Sequence, residues 1–366
     1  MSQNYEPLHH KYRPKNLDEL IGQDLIKDTL KQAIIASKIA PAYIFCGPRG
    51  TGKTSSARIF AKTLNCQNIK AANSSPCEKC DMCESITLGN ALDIVEIDAA
   101  SNTGVENIRD LIEGSRFAPV KAKWKIYVID ECHMLSTAAF NALLKTLEEP
   151  PKNVIFILAT TNPERVLPTI HSRCQRFDFR RIATAIISSH LDDIAKKEKI
   201  LIDQDAIILI SKKSDGGLRD AESMLDQLSL LPPPININYV WNLLGEVPDR
   251  ELIDLMKTII DGKIEDLLIT TRNMYDNGKD PSTILQGIAN IIRDLLLKKK
   301  SLSYNEVSAT TEEFHAELVS LAKNLNVKTI LKWHKSIKGI EYLIKSSSQP
   351  RLWLEINLIS LINDIL

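Results

Sequence analysis

The segment Gly47-Pro48-Arg49-Gly50-Thr51-Gly52-Lys53-Thr54 constrains this chain more than any other. It lies between an apolar run, Ala42 to Cys46, and a helix-forming run, Thr54 to Leu64. The first reads as a buried parallel strand and the second as a helix. A strand, a Gly-rich turn and a helix N-terminus in that order form a phosphate cradle. Small residues let backbone N–H groups converge on β- and γ-phosphate oxygens, and the helix dipole adds partial positive charge. Lys53 adds a full charge, and the Thr54 hydroxyl is placed to ligate Mg²⁺. The pattern G-x4-G-K-[ST] arises by chance in roughly 1% of chains this long at average residue usage. The flanking strand and helix therefore carry the assignment together with the pattern.

A chain of 366 residues can bury the cores of two or three domains. Hydrophobic content of 44% and charged content of 25% are those of a globular protein. The formal net charge is zero, so any nucleic-acid surface has to be local. No apolar run reaches the length of a membrane span, and the N-terminus has no signal-peptide core, so a cytoplasmic location without membrane contact is expected. Four of the seven cysteines cluster as Cys66, Cys77, Cys80 and Cys83, spaced C-x10-C-x2-C-x2-C. In a reducing compartment this spacing reads as a metal site. Four thiolates with no histidine suit tetrahedral Zn²⁺ and leave no position open for water, so the expected role is structural.

The apolar pattern then alternates between strand and helix. Asp93 to Asp98 reads as a second strand, Val105 to Ser115 as a helix carrying Arg109, and Trp124 to Ile129 as a third strand. That strand runs into Asp130-Glu131, the Walker B arrangement, in which Asp130 holds Mg²⁺ through water and Glu131 polarises the attacking water. Phe140 to Leu147 reads as a helix stopped at Pro150-Pro151. Val154 to Ala159 is a fourth strand running into Thr160-Thr161-Asn162, which puts Thr161 within reach of the γ-phosphate or the water. Phe177 to Phe179 is a short fifth strand. The fold class is therefore α/β with a parallel sheet, and the motifs fall at the carboxyl ends of its strands, where such sheets bind ligands.

Upstream, Tyr12-Arg13-Pro14 is extended, Asn16 is placed to cap a short helix from Leu17, and Leu25 to Ser37 is helical. This arm is expected to close over the nucleotide base. From Arg181 onward strand signals cease. Helices over 183–197, 205–212 and 218–230 precede the linker Pro232-Pro233-Pro234. Helical spacing recurs over 249–260, 264–275, 282–299, 312–325, 328–345 and 353–366, with Lys298-Lys299-Lys300 read as a solvated helix end. The expected domains are a nucleotide-binding core over 1–180, a helical lid over 181–234 and a helical assembly domain over 235–366. The pattern stops inside an amphipathic helix, so continuation past Leu366 is expected.

With these residues in place, the chain resembles the bacterial clamp-loader ATPases of the DNA polymerase III gamma/tau family. The resemblance rests on H-K-Y-R-P, I-G-Q, G-P-R-G-T-G-K-T, the four cysteines, E-I-D-A-A-S, V-I-D-E-C-H-M-L, N-A-L-L-K-T-L-E-E-P-P, L-A-T-T-N-P, S-R-C and G-G-L-R-D-A. It implies an AAA+ core with an inserted zinc module, a three-helix lid and a helical collar. The implied ligands are ATP, Mg²⁺ and Zn²⁺. The implied partners are delta and delta-prime subunits and further copies of the chain in a five-membered ring, a sliding clamp and primer–template DNA. A longer form would add the polymerase core and the helicase.

The resemblance assigns Arg173, in S-R-C, as an arginine finger reaching the γ-phosphate of a neighbouring subunit, and Arg219 as the lid arginine called sensor two. It assigns Tyr12, Arg13 and Ile21 to the base pocket, and places Arg109 on a helix facing DNA phosphates. The holoenzyme lends the family a DNA-directed DNA polymerase (nucleotidyltransferase) label, but no polymerase site is expected in this chain. An inactive scaffolding subunit would lack an intact P-loop, and a branch-migration motor would lack the cysteines and the collar.

Overall fold

The computed structural model describes residues 5–69, 75–300, 310 and 314–363, with Lys300 described by its backbone alone. They form two compact units, the chain passing from the first to the second between Ile235 and Asn236.

The first unit is built on a five-stranded parallel sheet: β1 (Ala42–Cys46), β2 (Ile94–Asp98), β3 (Lys125–Asp130), β4 (Val154–Thr160) and β5 (Gln175–Asp178), in the order β2-β3-β4-β1-β5. Its helices are α1 (Leu8–Lys11), α2 (Asp24–Ile35), α3 (Lys53–Asn65), α4 (Asp81–Leu88), α5 (Val105–Ser115), α6 (Thr137–Glu148), α7 (Pro168–His171), α8 (Thr184–Glu198), α9 (Gln204–Lys213) and α10 (Leu218–Leu228). Every residue of β1 and β4 is buried, as a strand covered on both faces requires. Alternation divides the core in two. Tyr43 and Phe45 face α2 and α3 with Phe60, Ile157 and Phe177, while Ala42, Ile44 and Cys46 face the opposite layer with Phe140, Leu143 and Leu158. The register places Cys46 beside Thr160 and Asp178, and Asp98 beside Asp130. The carboxyl ends of β1, β3 and β4 therefore lie side by side. The sheet and its strand order are those of an AAA+ ATPase core.

A buried carboxylate fixes the far end of the sheet. Asp93 is 2% exposed and accepts the N–H groups of Val120, Lys121 and Ala122, each at 2.8 Å. Burial raises its pKa, but these three donors outweigh that and hold it below the usual carboxylate value.

Three readings along the chain are corrected. No helix follows Leu17: Asn16 Oδ1 accepts the N–H groups of Asp18 and Glu19 at 3.0 and 3.1 Å, as a helix cap would, but the chain makes a single turn there, Leu20 N–H to Leu17 O at 3.3 Å, and does not continue as a helix. That turn buries Leu17 and Leu20 in the core, and the short helix lies upstream, at α1. The cysteine segment contains α4, which the spacing did not reveal. The expected helix over 328–345 is two helices, because Lys338 is extended (ψ 122°) and Gly339 has φ +89°.

The second unit is all helix among the described residues: α11 (Ile237–Leu244), α12 (Asp249–Ile260), α13 (Ile264–Asp276), α14 (Pro281–Lys300), α15 (His315–Asn324), α16 (Val327–Ile337), α17 (Ile340–Ser346) and α18 (Pro350–Asn363). They enclose one apolar core that includes Met256, Leu267, Ile288, Ile330, Trp333 and Leu358. The expected helical starts at Glu312 and end at Leu366, and the Lys300 side chain, lie outside the described residues. No described helix is long and apolar enough to cross a membrane.

Candidate nucleotide site

The P-loop leaves β1 and enters α3 through residues that need glycine. Gly47 has φ +146°, and a Cβ there would lie 2.3 Å from the Phe179 carbonyl oxygen. Gly52 caps α3 at φ +99° in the left-handed region. The result is a loop closed tightly on its own backbone at the positive end of a 13-residue helix. Between these glycines the loop runs through Pro48, Arg49, Gly50 and Thr51. Thr51 Oγ1 donates to the Pro48 carbonyl at 2.9 Å, and Arg49 lies 4.0 Å from Asp220 of α10.

Lys53 is 6% exposed, and its Nζ donates to the carbonyls of Gly47 (2.9 Å) and Pro48 (2.7 Å). Burial lowers its pKa, while the charges of Glu131 and Asp130 oppose that shift. The ammonium is thus held inside the loop and, among the described residues, no carboxylate is bonded to it, which suits an arriving polyphosphate. Next to it, Thr54 Oγ1 donates to Asp130 Oδ2 at 2.7 Å. A hydroxyl and a carboxylate side by side at the end of a P-loop are the hard oxygen donors that Mg²⁺ takes together with phosphate oxygens. The donor set fits the ion.

Glu131 follows Asp130 in the left-handed region, φ +45°, unusual for a non-glycine residue and typical of functional sites. Its Oε2 accepts from the Thr161 N–H (3.2 Å) and hydroxyl (2.8 Å). Sheet register therefore joins Lys53, Thr54, Asp130, Glu131 and Thr161, five residues separated by up to 108 positions, in one cluster. The lid reaches the same place. Leu218 N–H donates to Gly50 O at 3.0 Å, so the N-terminus of α10, which carries the exposed Arg219, abuts the P-loop.

The arm reaches the helix that follows the P-loop, and α8, through two neighbouring residues. Arg13 Nε donates to Ser55 Oγ on α3 at 3.1 Å, while the Tyr12 hydroxyl donates to Glu198 of α8. Burial, ahead of the nearby Arg58 charge, lowers the Arg13 pKa. Ile21 is half-buried, two residues before Gln23. Gln23 was not singled out from the sequence, although I-G-Q contains it. Its amide donates to Arg180 O (2.7 Å) and accepts from Arg180 N–H (3.1 Å), pinning the arm where the core passes into the lid. Ser55, His133 and Glu198 were also missed, since no spacing rule joins them to their partners.

Two residues lie elsewhere. Arg173 sits in the turn before β5 and bonds Glu148 Oε1 (2.8 Å through Nε) and Thr169 O (2.7 Å). Gln175 pairs with Tyr43, four positions and about 13 Å along the strand before Gly47 at 3.3 Å per residue, so Arg173 precedes β5 at the end of the sheet away from its own P-loop. Arg109 is exposed on α5 and pairs with Glu106 at 2.7 Å.

The four cysteines form a second centre. Their sulfurs all lie within 4.8 Å of one another, with Cys77 and Cys83 3.9 Å apart. Four thiolates around Zn²⁺ at 2.3 Å stand about 3.8 Å apart in a tetrahedron. The set therefore fits a zinc ion. Backbone N–H donors, that of Lys79 first, pull the Cys77 thiol down, whereas burial pushes Cys66 and Cys83 up.

Comparison with known proteins covers nearly the whole chain. Residues 22–183 match the family described as DNA polymerase III, delta subunit. Residues 186–228 match the DNA polymerase III clamp loader subunit, ATPase lid domain, and residues 235–365 match DNA polymerase III subunits gamma and tau domain III. The chain is 34% identical to the DNA polymerase III subunit gamma of Buchnera aphidicola subsp. Baizongia pistaciae, over 98% of this chain and 97% of that one. It is 38% identical to the DNA polymerase III subunit tau of Bacillus subtilis, over 98% of this chain, and spans 63% of that longer protein. Among solved structures, the Thermotoga maritima RuvB Holliday junction branch migration motor aligns with a TM-score of 0.47 at 20% identity, over 68% of this chain and 79% of that one.

Proposed function

The chain belongs to the gamma/tau family of DNA polymerase III clamp-loader subunits, and from that membership we propose that it is the motor that opens the sliding clamp and loads it onto primed DNA. One observation carries this reading: Lys53, Thr54, Asp130, Glu131 and Thr161 converge where β1, β3 and β4 end. A scaffolding subunit has no use for that cluster.

In this reading the P-loop N–H groups and Lys53 hold the ATP phosphates, and Thr54 and Asp130 hold Mg²⁺, which neutralises charge on the β- and γ-phosphate oxygens. Glu131 takes the proton of the attacking water, and Thr161 turns its hydroxyl to the γ-phosphate. Arg219 comes from the lid above. Tyr12, Arg13 and Ile21 border the base.

Arg173 serves the neighbouring subunit, since its own P-loop lies at the other end of the sheet. A ring of this chain with delta and delta-prime subunits and further copies of itself supplies that neighbour. ATP gripped across the seam holds the ring in the state that opens the clamp, and DNA backbone contact, with Arg109 among the contacts, triggers hydrolysis. Zn²⁺ on Cys66, Cys77, Cys80 and Cys83 stabilises the segment between α3 and β2. Contacts with the polymerase core and helicase belong to a longer form.

The decisive experiment measures ATP turnover by the assembly with primed DNA and clamp added in turn. Stimulation by each is expected. A rate that neither alters overturns the clamp-loading role.

A further inference from the structure

One oxygen of Glu131 carries the contacts, and the other does not. Oε2 accepts both Thr161 bonds and lies 3.3 Å from His133 Nδ1. Among the described residues no hydrogen bond reaches Oε1, which leaves that oxygen to receive a proton. The three neighbours of Oε2, the Thr161 N–H, the Thr161 hydroxyl and His133 Nδ1, are not equivalent. In the hydrolysis reading above, the Thr161 hydroxyl is shared with the γ-phosphate and leaves the carboxylate when nucleotide binds. His133 has no such second duty.

His133 is built for a fixed position. It stands in the short turn Cys132–Met134, which Met134 N–H closes on Glu131 O at 2.9 Å, and its side chain is 12% exposed. Nδ1 lies 3.1 Å from the hydroxyl of Thr160, which is fully buried and already accepts the Asn162 N–H at 3.0 Å. The ring is thus anchored to the end of β4. With its proton on Nδ1 the ring donates to Thr160 Oγ1 and turns the positive N–H toward Glu131 Oε2, 3.3 Å away, whereas a bare Nδ1 would set two lone pairs facing each other.

Resting on that hydrolysis reading, we infer that His133 is a positioning residue: with the Thr161 N–H it keeps Oε2 of Glu131 in place, and Oε1 free for the water, after the Thr161 hydroxyl has turned to the phosphate.

The test is steady-state ATP turnover by the assembled complex on primed DNA, using wild type, Glu131→Gln, and His133→Ala, →Asn and →Gln. Asn places an amide N–H near Nδ1, whereas Gln places it near Nε2. His133→Ala is expected to lower kcat about 10- to 100-fold with KM within twofold of wild type, the size of loss a displaced general base produces. His133→Asn recovers most of that loss and His133→Gln does not. If the Ala variant does not fold, the contrast between Asn and Gln decides alone. Wild-type kcat in His133→Ala, equal rescue by Gln and Asn, or a loss confined to KM overturns the inference and leaves the hydrolysis reading intact. No turnover in wild type, or full turnover in Glu131→Gln, overturns both.

Discussion

Replacing Arg173 with Ala separates assembly-dependent catalysis from stability, because the structure sets the two effects far apart. Among the described residues Arg173 is bound only by Glu148 and nearby Thr169 and Ser172, and its side chain is 30% exposed against 49% for Glu148. An ion pair so exposed contributes about 0–1 kcal/mol to folding. Its loss should shift the unfolding temperature by a few degrees at most. The effect on turnover is much larger. An arginine supplied in trans contributes about 10³–10⁵ in kcat, or roughly 4–7 kcal/mol at 1.36 kcal/mol per decade. With Arg173 preceding β5 at the end of the sheet away from its own P-loop, ATP affinity of the isolated chain should stay within about twofold of wild type. The assays are thermal unfolding, calorimetric ATP binding to the isolated chain, and turnover by the assembled ring on primed DNA. A variant that retains turnover within tenfold of wild type, or that loses ATP binding as an isolated chain, refutes the reasoning. Glu148→Gln serves as the control: it breaks the same pair and should leave turnover near wild type.

Three further outcomes are expected. Removing metal with a chelator, or replacing the fully buried Cys83 with Ser, should lower the unfolding temperature of the first unit, while ATP affinity changes less than about threefold; metal analysis should find one zinc per chain. Asp93→Asn should cost about 2–3 kcal/mol, because two or more N–H groups lose a charged acceptor in a buried place. The native pKa of Asp93 is depressed, so its contribution is present above the unfolded value near 4 and is lost as pH falls through the native one; the gap between wild type and variant, followed by chemical denaturation, should close in acid. Gly217→Ala puts a Cβ 3.1 Å from Arg49 O and 3.0 Å from Asp220 Oδ2, which should push α10 off the P-loop and weaken ATP binding about tenfold by calorimetry, equivalent to ~1.4 kcal/mol. Gly104→Ala, with nothing within 4 Å of the added carbon, should bind ATP as wild type does.

Local chemistry made part of this molecule readable in advance. A P-loop is contiguous, so Gly47 through Thr54 announce their own turn, helix start and charge. Cysteines two residues apart announce a shared ligand for the same reason, and the strands β1, β3 and β4 show as apolar runs because both faces are covered. The break at Gly339 was hidden because one left-handed residue outweighs helical spacing there, and the single turn after Asn16 because the burial of Leu17 and Leu20 that shapes it is a tertiary contact a local cap does not report.

Other features depended on which strand lies beside which. The five residues of the nucleotide cluster sit on segments joined only by the register of β3, β4 and β1. His133 meets Glu131 and Thr160 because a tight turn folds back onto the end of β4. Gln23 finds Arg180 across 157 positions. Arg173 is barred from its own P-loop because β5 runs parallel to β1 and begins at the opposite end of it. Composition and spacing specify what each side chain can do. Pairing of distant backbone segments decides which of them meet, because a hydrogen-bonded sheet orders strands by space and not by sequence.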